Sequence, residues 1–281
     1  MNLDLKKTNI KGEGRQLLHK WEGIVLKSIP YGESNKIVTL FTEEAGKVTA
    51  MARGAKKPAS RLAAMTQPFL LGSFLVYAGG RGMGQLQQGE LIDSMRDLRG
   101  DLEKTAYASF IVELVDRLTE PMEERTRGVY HLLKAALHAI DEGFDAEVIT
   151  LFVEWQMLPV AGIYPVAHQC AHCGATEGEF AFSFQQIGLL CHRCFEIDPY
   201  ITRLTPTQVR LIRTCMTVPI DQLGNVSLKK PTVRFLQKVV RTIYDEQTGI
   251  RLKSRRFIEQ LERDTLLQQL MEPKEQTKPS P

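Results

Sequence analysis

Between Cys170 and Cys194 the chain reads CAHCGATEGEFAFSFQQIGLLCHRC. Two C-x-x-C pairs, Cys170/Cys173 and Cys191/Cys194, stand seventeen residues apart. That is the spacing of a four-thiolate zinc site. Each pair forms a knuckle that offers two sulfurs to one ion, and the FAFSF and GLL segments suit a small hairpin between the knuckles. Four thiolates fill a tetrahedral zinc, so one structural zinc per chain is expected, a staple and not a Lewis acid. Two disulfides would need an oxidising compartment, and no secretory signal is recognisable. A redox C-x-x-C usually occurs singly, beside a βαβ pattern. Iron–sulfur ligand runs are spaced differently. His168, His172 and His192 adjoin the cysteines and are read as solvent-facing or supporting groups. Cys215, within the apolar helical pattern LIRTCMTV, reads as a buried small hydrophobe.

A chain of 281 residues suggests about two domains and does not need a metal to hold its whole fold. No apolar run approaches the length of a membrane span. The thiols and the missing signal predict a cytoplasmic protein with no membrane partner. The net charge of +3 conceals an uneven distribution. From Ala45 to Gly89 there is no acid, against Lys47, Arg53, Lys56, Lys57, Arg61 and Arg81. Residues 96–158 hold thirteen acids and seven bases, and residues 229–263 ten bases and four acids. Two basic regions flanking an acidic one suggest a polyanionic partner on a particular face.

Residues 1–20 are polar and Lys-rich, and read as a flexible extension. From Trp21 the pattern is one of short strands: WEGIVLKSI, KIVTLFT, KVTAMA, PFLLGSFLVYA and MGQLQQGELID. Turn residues punctuate them, as in PYGESN, EEAG and GGRG. Five strands without long helices between them suit a small closed barrel, which removes the exposed edges. The oligonucleotide-binding (OB) fold is the commonest such solution, and an SH3-like barrel is the alternative. SRLAAM supplies a short helix between the third and fourth strands. From Asp101 the apolar period becomes helical, with stripes through Leu102–Leu118, Val129–Ile140 and Ala146–Leu158. His131 and His138, beside the second stripe, read as surface or hydrogen-bonded side chains. Thr205, followed by a proline, opens a further helix, and Pro231–Asp245 and Ser254–Leu270 give two more. The expected class is therefore multi-domain α and β. An OB barrel at 21–98 precedes an α-helical domain at 99–270, which carries a zinc insertion at about 164–198; a disordered tail covers 271–281.

No Walker A loop, H-E-x-x-H or G-x-S-x-G motif is present, and GGRGMG lacks the Lys-Ser/Thr end that would hold phosphate and magnesium. Paired acids such as Glu123/Glu124 and Asp141/Glu142 fall at helix ends, where solvated charge explains them. No catalytic constellation is left, so the chain is not expected to be an enzyme. What remains is the acid-free barrel. Its cations Lys47, Arg53, Lys56, Lys57, Arg61 and Arg81 can track phosphates, with Tyr31 and Tyr77 as stacking faces; the bland alternative is a soluble cationic surface. Near the C-terminus Arg251, Lys253, Arg255 and Arg256 surround Leu252 and Phe257. Cations rimming an apolar spot suit an acidic peptide with a hydrophobic end, a second nucleic-acid contact, or internal salt bridges.

On these residues the chain resembles the RecO family of recombination mediators. The carriers are EGIVL (22–26), PYGESNKIVTLFT (30–42), ARGAKKPASRL (52–62), QPF (67–69), the two C-x-x-C pairs and TGIRLKSRRF (248–257). The resemblance runs from Trp21 to about Leu267, and residues 1–20 depart from it. It implies an OB barrel, a helical domain with a zinc loop, and binding of single- and double-stranded DNA with annealing of complementary strands. It also implies action on DNA coated by single-strand-binding protein (SSB), contact with the SSB C-terminal tail, RecR as partner, and indirect help in loading RecA. The rival reading is a non-catalytic, zinc-containing scaffold that docks acidic protein tails without touching nucleic acid. A zinc-ribbon transcription factor is weaker, because no recognition helix is apparent.

Overall fold

The computed structural model describes residues 17–79, 82–123, 126–224 and 226–271, without the side chains of 262 and 264–271. Strands β1 (Leu17–Tyr31), β2 (Asn35–Thr42), β3 (Gly46–Ala52), β4 (Leu71–Ala78) and β5 (Gly84–Asp93) close into a barrel in the order β1-β2-β3-β5-β4. Helix α1 (Arg61–Met65) links β3 to β4. The order, with its short helix after the third strand, is that of the OB fold and not of the SH3-like alternative. Side chains alternate strictly along β3: Val48, Ala50 and Ala52 are buried, and Lys47, Thr49 and Met51 are not. The same alternation brings Val25, Val38, Leu40, Phe74, Val76 and Leu86 into one core. Each large side chain among them contributes about 1.5–3 kcal/mol. At Gly72 an added Cβ would lie 2.8 Å from the Glu90 carbonyl oxygen and 2.9 Å from the Met65 methyl. Only glycine lets β5 and α1 approach β4 so closely there.

Strand β1 is longer than its pattern suggests. Its first half pairs with β4 and its second with β2, and a register shift between Val25 and Lys27 turns it from one to the other. Leu17–Lys20, assigned from sequence to the extension, belong to this strand, opposite Ala78–Leu75. Backbone pairing to β4 makes them strand although Leu17 and Leu18 are exposed, and His19 stacks on Trp21 at 4.5 Å. The rest of the expected extension and residues 272–281 of the expected tail lie outside the described residues. Met271, assigned to that tail, still closes the last helix.

Beyond the barrel the chain forms α2 (Arg96–Gly100), α3 (Leu102–Leu118), α4 (Arg127–Asp141), α5 (Ala146–Gln156), α6 (Pro206–Thr217), α7 (Lys230–Gln247) and α8 (Lys253–Met271). Helix α5 is buried from Glu147 to Trp155, as an element at the centre of its unit must be. Helices α3, α6 and α7 pack around it. Asp145 caps α5, its carboxylate accepting from the Glu147 and Val148 amides. Thr205 and Gln208 cap α6 reciprocally. A three-stranded sheet, β7 (Gly188–Cys191), β6 (Phe180–Ser183) and β8 (Thr202–Arg203), forms the insertion.

The chain does not divide at a single point near residue 98. One unit takes the chain to Met95 and then Thr119–His131; the other takes Arg96–Leu118 and everything from Leu132 onward. Backbone pairing holds the returning segment: the Met122 amide donates to the Lys47 carbonyl at 2.9 Å. Arg127 reaches Glu43 at 2.8 Å. The Tyr130 hydroxyl donates to the Glu22 carboxylate at 2.7 Å. Burial, and then that carboxylate, push the Tyr130 phenol up. Nothing in the helical period of residues 129–140 signals these polar bonds.

Candidate nucleic-acid interface and metal centre

The barrel cations fall into separate places. Arg53, Lys56 and Lys57 occupy the loop after β3, and Arg61 begins α1; all four are exposed. This loop is docked on the β1–β2 turn. The Gly54 amide donates to the Asn35 side-chain oxygen at 2.9 Å. The Lys56 amide donates to the Ser34 carbonyl at 2.9 Å, and the Lys56 ammonium to the Gly32 carbonyl at 3.0 Å. Gly54 has φ +71°, a left-handed turn that suits glycine. Arg53, Lys57 and Arg61 have no ion-pair partner among the described residues, so their charge faces solvent. Lys47 is elsewhere. Strand β3 separates it from Arg53 by about 20 Å, beside the returning segment that pairs with its backbone. Arg81 lies outside the described residues.

Two features escape a count along the sequence. The folded turn sets Glu33 next to the basic loop, so the acid-free stretch does not stay acid-free in space. Lys36, half-buried, joins the same end of the barrel by donating to the Thr66 hydroxyl at 3.2 Å. Its position opposite Ala52 follows from register and could be found once the β2–β3 hairpin is drawn. The outer faces of the strands form a belt there. Register aligns Ile29, Ile37, Met51, Gln85, Tyr77 and Leu18 across the barrel. Tyr77 is 41% exposed and lies two strands from Met51, about 10 Å away. Tyr31, 50% exposed, closes β1 at the docked turn. Aromatic faces beside unpaired cations are the chemistry that holds a single strand.

The four thiols meet as the spacing predicts. The sulfurs of Cys170, Cys173, Cys191 and Cys194 all lie within 4.8 Å of one another. Cys173 and Cys191 are 3.6 Å apart, and Cys191 and Cys194 3.8 Å. A tetrahedral zinc with bonds of about 2.3 Å requires sulfur–sulfur edges of about 3.8 Å, so the cluster fits such an ion. Strand β7 delivers Cys191 from the hairpin, and the Cys191 amide donates to the Cys170 sulfur at 3.3 Å. The first knuckle is tied to β7 by the Ala171 amide on the Leu189 carbonyl at 2.7 Å. Gly188 pairs with Val166, whose carbonyl oxygen would be 2.7 Å from any Cβ there. Burial raises the Cys170 thiol, but amides of Cys173, Cys191 and His172 outweigh it and bring it down to about 6. Burial, then the neighbouring sulfurs, push the Cys194 thiol up to about 12. Crowded thiols that cannot all ionise together are relieved by a cation. His168, His172 and His192 are exposed and contribute no ligand to this group. Cys215 is fully buried, and burial raises its thiol to about 12, as expected of an inert hydrophobe.

A third site lies in the helical unit. A groove of about 200 Å³ has Phe110, Leu114, Tyr244, Ile250 and Leu252 beside Arg241, Arg251, Arg255 and Arg256. Arg241 lies over the Phe110 ring at 5.4 Å and is held by the buried Glu154 at 2.7 Å. Arg255 is braced by Asp245 at 3.0 Å and Glu259 at 3.3 Å. Of the four sequence candidates, Arg251, Arg255 and Arg256 line the groove; Lys253 does not, and Phe257 stays outside it. Arg241, missed from sequence, lines it beside them. No sequence signal marks it, because it sits in the ordinary amphipathic pattern of α7 and its partner Glu154 comes from α5.

Fold and sites together define a class: an OB barrel joined to a helical unit that carries a four-cysteine cluster able to hold a metal ion. Family models described as Recombination protein O N terminal and Recombination protein O C terminal match residues 17–95 and 99–256. The chain is 49% identical to the DNA repair protein RecO of Bacillus subtilis (strain 168) over 88% of its own length and 96% of that protein. The proteins of the same name from Listeria monocytogenes serovar 1/2a and Halalkalibacterium halodurans are 45% and 44% identical, each over 88% of this chain and 96% of the relative. The chain belongs to the RecO family. Among the described residues no helix is long and apolar enough to cross a membrane.

Proposed function

We propose that the chain is a non-catalytic DNA repair and recombination mediator. It binds single- and double-stranded DNA on its barrel, anneals complementary strands, and helps load RecA onto SSB-coated DNA with RecR as partner. The observation that carries this reading is the barrel end where Arg53, Lys56, Lys57 and Arg61 stand exposed beside Tyr31. Cations and aromatic faces bind the backbone and the bases without a base-edge code, so binding is nearly indifferent to sequence. Lys47 and Arg81 are further candidate phosphate contacts. Holding two strands on one protein screens their repulsion and raises their local concentration, which is what annealing needs. The metal is a structural zinc, one per chain, held by Cys170, Cys173, Cys191 and Cys194. It supplies no chemistry beyond fastening the hairpin. The arginine-rimmed groove receives the acidic, hydrophobic C-terminal tail of SSB: Arg251, Arg255 and Arg256 meet carboxylates while Phe110, Leu114 and Leu252 take the apolar end, and Lys253 adds charge nearby.

The test reverses Arg53, Lys56 and Lys57 to Glu together. Affinity for an unstructured oligonucleotide at low salt should fall at least tenfold and annealing with it, while zinc content and helicity stay unchanged. Four phosphate contacts correspond to a slope of about −3 in log affinity against log salt, and the variant should flatten it. A triple variant that binds as tightly as the parent would remove the barrel from the role.

A further inference from the structure

The stretch from Pro199 to Tyr244 contains one acid, Asp221, and eight cations. Four of those cations, Lys229, Lys230, Arg234 and Lys238, are exposed at the start and along one side of α7. None is paired with a described residue. Lys230, Arg234 and Lys238 follow one another at four-residue intervals, so each lies about 6 Å further along the axis than the last. The opposite face, Val233, Leu236, Val239, Val240 and Ile243, is buried, and this fixes the strip toward solvent. The elements packed on α7 do not neutralise it. Helix α6 has no acid, and the acids of α5, Glu147 and Glu154, are buried, Glu154 being taken up by Arg241. The first acid on α7 itself is Asp245, which Arg255 engages.

We infer that this strip of α7 is a second nucleic-acid site, one that grips the phosphodiester backbone of another strand. The inference rests on reading the chain as a DNA binder, but not on the barrel residues. A step of about 6 Å is comparable with the separation of successive phosphates along an extended strand. A protein partner is disfavoured because Lys230, Arg234 and Lys238 enclose no large exposed apolar side chain, and docked peptides are anchored by such groups. Phosphates ask only for charge and spacing. The strip belongs to the helical unit and shares no residue with the barrel, so one chain offers a separate site for each strand of an annealing pair.

The test uses the full-length protein and a fluorescent oligo-dT. The wild type should saturate at two strands per chain. The variant Lys230→Glu/Arg234→Glu/Lys238→Glu should saturate at one, keep first-strand affinity within about twofold, and anneal complementary oligonucleotides at least tenfold more slowly. The slope of log affinity against log salt for the second strand is predicted at about −2. A Gln triple variant, which adds no repulsion, should show the same loss of the second strand with an unchanged circular dichroism spectrum. The proposal is overturned if wild type saturates at one strand, or if both variants still take two strands and anneal normally. Unchanged DNA binding with weakened binding of an acidic peptide would also overturn it, and would make the strip a protein-docking surface. Loss of binding in the barrel reversal variant is scored separately, so either site can fail without the other.

Discussion

Glu113 shows how much a single carboxylate can organise. It accepts from the Lys253 amide at 3.1 Å, the Ser254 amide at 2.9 Å and the Ser254 hydroxyl at 2.6 Å. From α3 it thus caps the first turn of α8, whose next residues, Arg255 and Arg256, line the groove. Burial raises the Glu113 carboxyl, but the Ser254 and Lys253 donors and Arg117 outweigh it, and the net direction is down. A depressed carboxylate stabilises the fold at pH above its unfolded value, about 4.3, and that contribution is lost as pH falls through the lower folded value. Stability should therefore decline below about pH 4 less steeply in Glu113→Gln than in the wild type. At neutral pH Glu113→Ala should cost about 1 kcal/mol, as loss of a helix cap does. Urea unfolding at pH 7 and pH 3.5 checks both. The inner pair is more demanding. Glu154 is fully buried, and burial raises it in spite of Arg241. Arg241→Met should destabilise the unit by about 3–5 kcal/mol because it strands a buried carboxylate, and a compensating Glu154→Gln should recover part of that. Neither residue stands out in sequence. Both sit in ordinary amphipathic helices, and only packing reveals that α5 and α7 spend polar groups on each other.

At the scale of elements, periodicity and spacing carried most of the architecture. The barrel strands, the α6 cap at Thr205 and the cysteine cluster follow from local rules, because alternation, capping and C-x-x-C spacing are decided within a few residues. The strand ends were less legible. Leu17–Lys20 are strand because β4 offers partners, and no local pattern records that. The grouping of cations was legible only in part. Arg53, Lys56, Lys57 and Arg61 are near neighbours in sequence and remain so; Lys47 is carried off by the length of β3, and Lys36 is brought in by register. The metal hairpin yields a direct expectation. Cys191→Ser removes one ligand and disturbs the strand end that bonds Cys170, so zinc should drop from one per chain to a small fraction. Zinc binding requires thiolates, so in the wild type the metal should be released as pH falls below the thiol range. Elemental analysis across pH, on protein purified without chelator, measures both; iron in place of zinc would contradict the assignment.

At the scale of the molecule, the two tryptophans report separately. Trp21 is in the barrel core, and Trp155 is in α5, edge-on to Phe182 of β6 at 6.3 Å. Removing the metal should lower the denaturation midpoint seen by Trp155 fluorescence and leave that seen by Trp21 nearly unchanged. Single-tryptophan variants, with Phe at the other position, separate the signals. Equal shifts at both would mean that the hairpin supports the whole chain. The returning segment 119–131 bears on how such a protein can change over time. A gene break after residue 98 would deliver a barrel without Met122, Arg127 or Tyr130, leaving the Glu22 and Glu43 carboxylates without the partners they now hold. The two units are therefore stitched by three passages of one thread. Neither can be cut out as one contiguous segment and shuffled into another gene as a ready-made cassette.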